Sequence, residues 1–75
     1  MLDKNEVIKG LSNEEFIVRN AVYEYVCKLH LYDDNEVNES FIKFIENNYD
    51  SINFAGLKYS KLNKDITECL INIYL

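Results

Sequence analysis

Residues 11–31, LSNEEFIVRNAVYEYVCKLHL, decide the fold of this chain, because they have the pattern of one long amphipathic helix. Ser12 is a typical helix N-cap, and Glu15, three positions later, is its partner in a capping box. Apolar residues then recur every three or four positions, which predicts one broad buried face. That face comprises Val18, Ala21, Val22, Tyr25, Val26 and Leu29. We therefore predict a helix from Ser12 to about Leu31.

Two further helices flank this segment, and each begins at a recognisable cap. Asp3 with Glu6 forms another capping box, and Gly10 is expected to end this first helix in a left-handed C′ conformation. After the long helix, Asp33 is the expected cap of a third helix that runs to about Asn48. The chain therefore begins with three helices joined by short polar turns.

The last third of the chain predicts two more helices. A fourth starts at Asp50 or Ser51 and runs to about Leu62, although Gly56 inside it disfavours a regular helix. A fifth starts after Asn63 and continues to the apolar end of the sequence, residues 73–75. An apolar end of this kind indicates that the chain continues as a longer solenoid or that the last helix packs on a partner.

Composition supports a single all-α domain over residues 1–75. The chain has no proline and two glycines, whereas a small β-domain needs such residues in its tight turns. Its two cysteines are too few for a secreted disulfide scaffold, and the N-terminus lacks the apolar run of a signal peptide. No apolar run approaches membrane-spanning length. We expect a cytoplasmic protein with reduced thiols.

The charge of the chain argues against two classes of partner. The formal net charge is −5, Arg19 is the only arginine, and the lysines are scattered among carboxylates. Phosphate backbones and anionic membranes both require clustered Lys and Arg. Neither direct nucleic-acid binding nor membrane docking is therefore expected.

An internal repeat emerges when the sequence is shifted by about 34 residues. The shift places Val18 on Ile52, Ala21 on Ala55 and Tyr25 on Tyr59. We expect these six side chains to face the same interior, with each helix pair covering the apolar side of the next. The chain would then hold about two and a half units.

The stretch LSNEEFIVRNA, residues 11–21, resembles the turn signature of the HEAT-repeat family, in which a short polar turn is followed by Val-Arg and then Ala. The resemblance implies a right-handed stack of antiparallel helix pairs with five helices in this chain. It also implies that Arg19 ties the turns of adjacent repeats together. The second unit departs from the pattern, since Asn53 replaces the arginine and Gly56 follows Ala55.

No residue pattern in the chain supports catalysis, a metal or a cofactor. Cys27 and His30 share a helix face, but two ligands do not make a zinc site, and a thiol late in a helix is not activated as a nucleophile. A Cys27–Cys69 disulfide would require oxidation. The carboxylate pairs at 14–15, 33–34 and 36–39 lie at helix starts, where the helix dipole favours them. We expect no enzyme and no small-molecule ligand.

The expected function is that of a non-enzymatic protein-interaction module. Its partner, another protein or a second copy, would contact the concave face or the apolar C-terminal helix. The candidate contact residues form a stripe on the long helix: Asn20, Tyr23, Glu24, Cys27 and His30. One alternative is a small acidic inhibitor or nucleic-acid mimic that binds a basic partner. A second alternative is the N-terminal fragment of a HEAT-like enzyme.

Overall fold

A computed structural model describes residues 1–57 and 62–75, and every regular element in these ranges is helical. The α-helices are α1 (Lys4–Leu11), α2 (Phe16–Leu29), α3 (Asn35–Asn48) and α4 (Lys64–Tyr74). Two 3-10 helices lie between them, at Leu31–Asp33 and Phe54–Leu57. The all-α prediction is confirmed, with four α-helices in the described residues instead of the predicted five. None of these helices is long and apolar enough to cross a bilayer.

Helix α1 begins as the sequence predicts. The Asp3 carboxylate accepts from the backbone N–H of Glu6 at 2.9 Å, and the Glu6 carboxylate accepts from that of Asp3 at 3.3 Å. The helix does not end at Gly10, however, and its C-cap is Ser12. Gly10 lies where α2 passes closest, since a Cβ atom there would stand 2.5 Å from Cγ2 of Val22. Gly10 therefore allows α1 and α2 to pack closely, and it does not end α1.

The predicted capping box of Ser12 and Glu15 is wrong, and the N-cap of α2 is Glu15, three residues later than expected. The Ser12 hydroxyl donates backward to the carbonyl oxygen of Lys9 at 3.2 Å. The Asn13 side chain accepts from the N–H of Glu15 at 2.9 Å. Residues 12–15 are therefore used to turn the chain, and Ser12 closes α1 instead of opening α2. At its other end α2 stops at His30, which is left-handed with φ 53°.

The caps of α3 and α4 differ in how well they were predicted. Asp34, and not Asp33, caps α3: its carboxylate accepts from the N–H groups of Glu36 and Val37. Asp33 belongs to the preceding 3-10 helix. Asn63 caps α4 as predicted, with its side-chain oxygen 2.9 Å from the N–H of Ile66.

The predicted fourth helix is wrong over the part that the structure describes. Residues 51–53 are turn and irregular structure, and only Phe54–Leu57 forms a short 3-10 helix. The Asn53 side chain accepts from the N–H of Ala55 at 2.9 Å, so a local asparagine turn competes with the α-helix. The Tyr23 hydroxyl also donates to the Asn53 carbonyl at 3.1 Å and holds this turn against α2. Residues 58–61 of the predicted helix lie outside the described residues.

The core is built from all four α-helices and is rich in aromatic rings. The Phe41 ring of α3 lies 5.3 Å from the Tyr23 ring and 5.5 Å from the Tyr32 ring, in stacked geometry. The Tyr23 ring also lies 5.1 Å from that of Phe44. The remaining buried apolar side chains surround these rings: Val7, Leu11, Val22, Val26, Cys27, Val37, Ile45, Leu57, Ile66 and Cys69.

The expected common interior of the two repeat units does not form. Ala21 and Ala55 are exposed. Tyr25 and Ile52 are half-buried and pack at the edge of the core. Of the other two positions, Val18 is half-buried and Tyr59 lies outside the described residues. Of the face predicted for α2, Val22 and Val26 are buried as expected and Leu29 is exposed. Tyr23 and Cys27 complete the buried face of this helix.

Candidate functional site

The predicted contact stripe on α2 is divided between core and surface. Tyr23 is 1% exposed and Cys27 is 4% exposed, so the two side chains expected to anchor a partner pack inside the protein. Glu24 and His30 are exposed, and Asn20 is half-buried with its amide donating to the Glu24 carboxylate at 3.5 Å. Only these three remain accessible, and without Tyr23 and Cys27 they have no apolar centre.

A groove between α3 and α4 is a better candidate site. Its volume is about 530 Å³, within the range of 300–1,000 Å³ usual for ligand pockets. Eight residues line it: Ile42, Glu46, Tyr49, Asp65, Glu68, Cys69, Asn72 and Ile73. Since α4 has α3 as its only α-helical neighbour among the described residues, one side of this helix pair remains open to form the groove.

The floor of the groove is apolar. Ile42 and Ile73 are half-buried, and Cys69 between them is 8% exposed. Burial, together with the nearby Glu46 carboxylate, raises the pKa of the Cys69 thiol, so the thiol is neutral at pH 7. Tyr49, which is 46% exposed at the end of α3, adds an aromatic ring to one side. The floor can bury apolar side chains of a bound molecule.

The rim of the groove is acidic. Glu46, Asp65 and Glu68 line it, and none of its eight lining residues is cationic. Lys64 lies 3.9 Å from the Glu68 carboxylate, but both side chains are largely exposed. An exposed pair of this kind holds its partners only weakly. The rim therefore presents negative charge around an apolar floor.

A hydrogen-bond network fixes the two walls of the groove relative to each other. Asn38, a buried polar residue on α3, donates to the Asp65 carboxylate at 3.2 Å and accepts from the Asn63 amide. The Asn63 amide also donates to the carbonyl oxygen of Tyr32 at 2.9 Å. Because Asn63 also caps α4, one side chain sets both the start of α4 and its position on α3.

A second groove, between α1 and α3, has a different character. It is lined by Glu14, Arg19 and Lys43 among other residues, so its charge is mixed. The Arg19 guanidinium is already engaged with the carbonyl oxygens of Asn13 and Glu14, at 2.8 and 2.9 Å. The one arginine of this groove is thus already used by the fold, and we regard the α3/α4 groove as the candidate site.

Neither cysteine is arranged for chemistry. Both thiols are free and buried, and burial raises the pKa of the Cys27 thiol to about 11. A thiol with that pKa is protonated at neutral pH and is a poor nucleophile or metal ligand. Within residues 1–57 and 62–75, no three His, Cys, Asp or Glu side chains form a metal-binding group.

Sequence analysis named the apolar C-terminal helix as a candidate contact surface, but it did not place α3 beside that helix and so did not predict the groove. Helix α4 carries apolar residues on more than one face: Ile66 is buried and Ile73 lines the groove, whereas Ile71 and Tyr74, which are 49% and 67% exposed, lie outside its lining. An amphipathic helix that also exposes large apolar residues indicates a contact surface. The position of Glu46 beside α4, however, depends on packing that the sequence does not reveal.

The chain was also compared with known proteins. No protein-family model matches it, and neither the curated proteins nor the solved structures contain a match.

Proposed function

We propose that this protein is a non-enzymatic interaction module that binds another protein through the α3/α4 groove. The observation that carries the proposal is the open groove over Ile42, Cys69 and Ile73, of which Cys69 is buried and the two isoleucines are half-buried. Burial of such a floor is the usual source of affinity at protein interfaces, and flanking polar groups supply specificity. Tyr49 on the groove wall is of a residue type that commonly anchors interfaces.

The architecture that we propose for this module is a HEAT-like stack of helix pairs. In support, a four-residue turn joins α1 to α2, and Arg19 links that turn to the end of α3. This is the role that the resemblance implies for the arginine. The second pair is less regular, because a 3-10 helix precedes α4 where the repeat pattern requires a full helix.

We also propose a cytoplasmic location, which the two free and unpaired thiols support.

The acidic composition favours a second candidate function, a small inhibitor that covers a basic surface of its target. Helices α3 and α4 together carry five carboxylates and two lysines. Such an inhibitor would bind mainly through charge, and salt would abolish its binding.

A peptide-display selection against the purified chain tests the interaction module. We expect enrichment of peptides with apolar residues three or four positions apart, and loss of binding by more than tenfold in Tyr49→Ser. Ile17→Ser is the matched control, because Ile17 is 80% exposed on α2 and distant from the groove. Failure to enrich any peptide, or equal loss in both variants, would contradict the proposal.

A further inference from the structure

We propose that the partner segment in the α3/α4 groove is a basic amphipathic helix. This inference rests on the proposed interaction function and specifies what the groove accepts. The apolar side of such a helix would cover the floor of Ile42, Cys69 and Ile73. Its lysine or arginine residues would face Glu46, Asp65 and Glu68 on the rim.

Charge complementarity selects a basic occupant. Of the eight lining residues, three are carboxylates and none is a lysine or arginine. Within the described residues, Glu46 has no ion-pair partner, since the ion pairs of this part involve only Lys4 and Lys64. An acidic segment would meet repulsion here, whereas a basic one would bind faster and more specifically.

The surface around the groove is also negatively charged. The adjoining shallow pocket on the outer side of α3 contains Glu39, Glu46 and Asp65 with one lysine, Lys43. The chain as a whole carries a formal charge of −5. A cationic partner would therefore be attracted over the whole approach to the groove as well as at its rim.

The backbone around the groove favours a partner segment that is helical over one that is extended. Both walls are α-helices, whose backbone groups are bonded internally, so an incoming strand would find no main-chain partners there. On the α4 side the lining runs from Asp65 to Ile73, which at about 1.5 Å per residue is roughly 12 Å. That length matches about two turns of a docked helix, enough for apolar anchors at i, i+3 or i+4, and i+7.

The test measures binding of a synthetic peptide by fluorescence anisotropy. The probe is a fluorescein-labelled amphipathic peptide of about three helical turns, with leucines at i, i+3, i+4 and i+7 and lysines and alanines elsewhere. Two matched peptides replace every lysine by glutamine or by glutamate. We expect saturable binding of the lysine peptide, at least tenfold weaker binding of the glutamine peptide, and no measurable binding of the glutamate peptide.

Variants of the protein locate the binding. Glu46→Gln and Glu68→Gln should each raise the Kd of the lysine peptide about twofold to fivefold, the effect of one exposed ion pair. Glu15→Gln removes the same charge from the exposed N-cap of α2, where the side chain makes no capping bond, and should leave the Kd unchanged. Circular dichroism melting of each variant confirms that the fold is retained.

The outcomes separate this inference from the proposed function. If the glutamine peptide binds as tightly as the lysine peptide, or if Glu15→Gln weakens binding as much as Glu46→Gln, the basic-helix inference is wrong while an apolar interaction site survives. If the lysine peptide binds but Tyr49→Ser does not weaken it, the binding is surface charge alone and the groove is not the site. If none of the three peptides binds, this inference fails, and the display selection decides the broader function separately.

Discussion

The guanidinium of Arg19 donates to the side-chain oxygen of Asn48 at 3.1 Å and so joins the first helix pair to the last residue of α3. The same guanidinium donates to the carbonyl oxygens of Asn13 and Glu14. Asn48 is itself fixed, because its amide donates to the carbonyl oxygen of Phe44 at 2.9 Å. One side chain thus holds a turn and a helix end that lie far apart in the sequence.

Replacing Arg19 should therefore cost more stability than a surface residue usually does. Arg19→Met removes three charge-assisted hydrogen bonds, and we expect a loss of about 2 kcal/mol in the free energy of unfolding. Arg19→Lys should recover little of this, since one ammonium cannot reach the acceptors of both elements. Urea denaturation provides the measurement. Lys28→Met, an exposed change on the same helix, is the control and should cost less than about 1 kcal/mol.

Replacing Asn63 should cost more than the loss of a helix cap alone, because this side chain also bonds residues far away in the sequence. Asn63→Ala removes the bond to the N–H of Ile66 and leaves the side chain of Asn38 and the carbonyl of Tyr32 without their donor. We expect a loss of about 3 kcal/mol. Asn63→Asp keeps the cap but not the donors, so it should fall between wild type and alanine. Hydrogen exchange of the α4 amides should accelerate most; uniform acceleration throughout the chain would show that the network does not act locally.

Gly10 and Gly56 should respond differently to replacement by alanine. Alanine normally stabilises a helix by up to about 1 kcal/mol relative to glycine, but at Gly10 its Cβ would overlap Val22. Gly10→Ala should therefore destabilise the protein by about 1–3 kcal/mol. At Gly56 the nearest atom to an added Cβ is Cβ of Cys27 at 3.5 Å, an ordinary contact, so Gly56→Ala should be nearly neutral.

A second substitution, at Val22, tests whether steric overlap causes the loss of stability in Gly10→Ala. Val22→Ala removes Cγ2, the atom that the new methyl group would meet at 2.5 Å, and Cγ1, while Cβ at 3.2 Å remains. The double variant Gly10→Ala/Val22→Ala should therefore be more stable than the sum of the two single changes predicts. Additive losses in thermal or urea unfolding would rule out a steric cause.

Stability should fall in mildly alkaline solution. The pKa of Cys27 rises from an ordinary value of 9.0 to about 11 in the folded protein because of burial. Folding favours the protonated form of this thiol. Its contribution to stability is therefore complete below pH 9 and is lost as the pH rises from 9 to 11. Burial also raises the pKa of Cys69, and that of Tyr23 above its usual 10.0, with the same sign.

The comparison that isolates the Cys27 thiol is Cys27→Ala against wild type, at pH 8 and pH 10. We expect wild type to lose about 1 kcal/mol more than the variant between these two conditions. The difference between the two losses is the measured quantity, so a lower absolute stability of the variant does not affect the result. Equal losses would mean that the folded state tolerates the Cys27 thiolate.

Local sequence patterns predicted some of this fold, and tertiary contacts decided the rest. The caps at Asp3 and Asn63 were predictable because each helix has one obvious candidate. At Asp33 and Asp34 two neighbouring carboxylates compete. The structure selects Asp34, whose carboxylate also lies 3.3 Å from the Lys4 ammonium of α1. This ion pair and the backbone N–H bonds lower the pKa of Asp34, the latter being the larger cause.

The buried face of α2 was predicted only in part, at Val22 and Val26, because apolar residues lie on nearly every side of this helix. Periodicity alone then fits more than one face, and the face containing Tyr23 and Cys27 was interpreted as a contact surface. What places Tyr23 inside is the stack that it forms with Phe41 of α3, a contact 18 positions away in the chain. The α3/α4 groove was unpredictable for the same reason, since its walls meet through Asn38 and Asn63.

The cluster of Tyr23, Tyr32, Phe41 and Phe44 gives the protein a built-in optical reporter. The chain contains no tryptophan, so tyrosine dominates its near-ultraviolet absorption. Tyr23 and Tyr32 are buried in the core against aromatic rings, so the near-ultraviolet circular dichroism of tyrosine reports on the integrity of the core. A ligand that occupies the α3/α4 groove should alter the near-ultraviolet signal only through Tyr49, whereas one that loosens the helices should erase the signal of the core tyrosines. Unlabelled protein can thus distinguish docking from unfolding in a single spectrum.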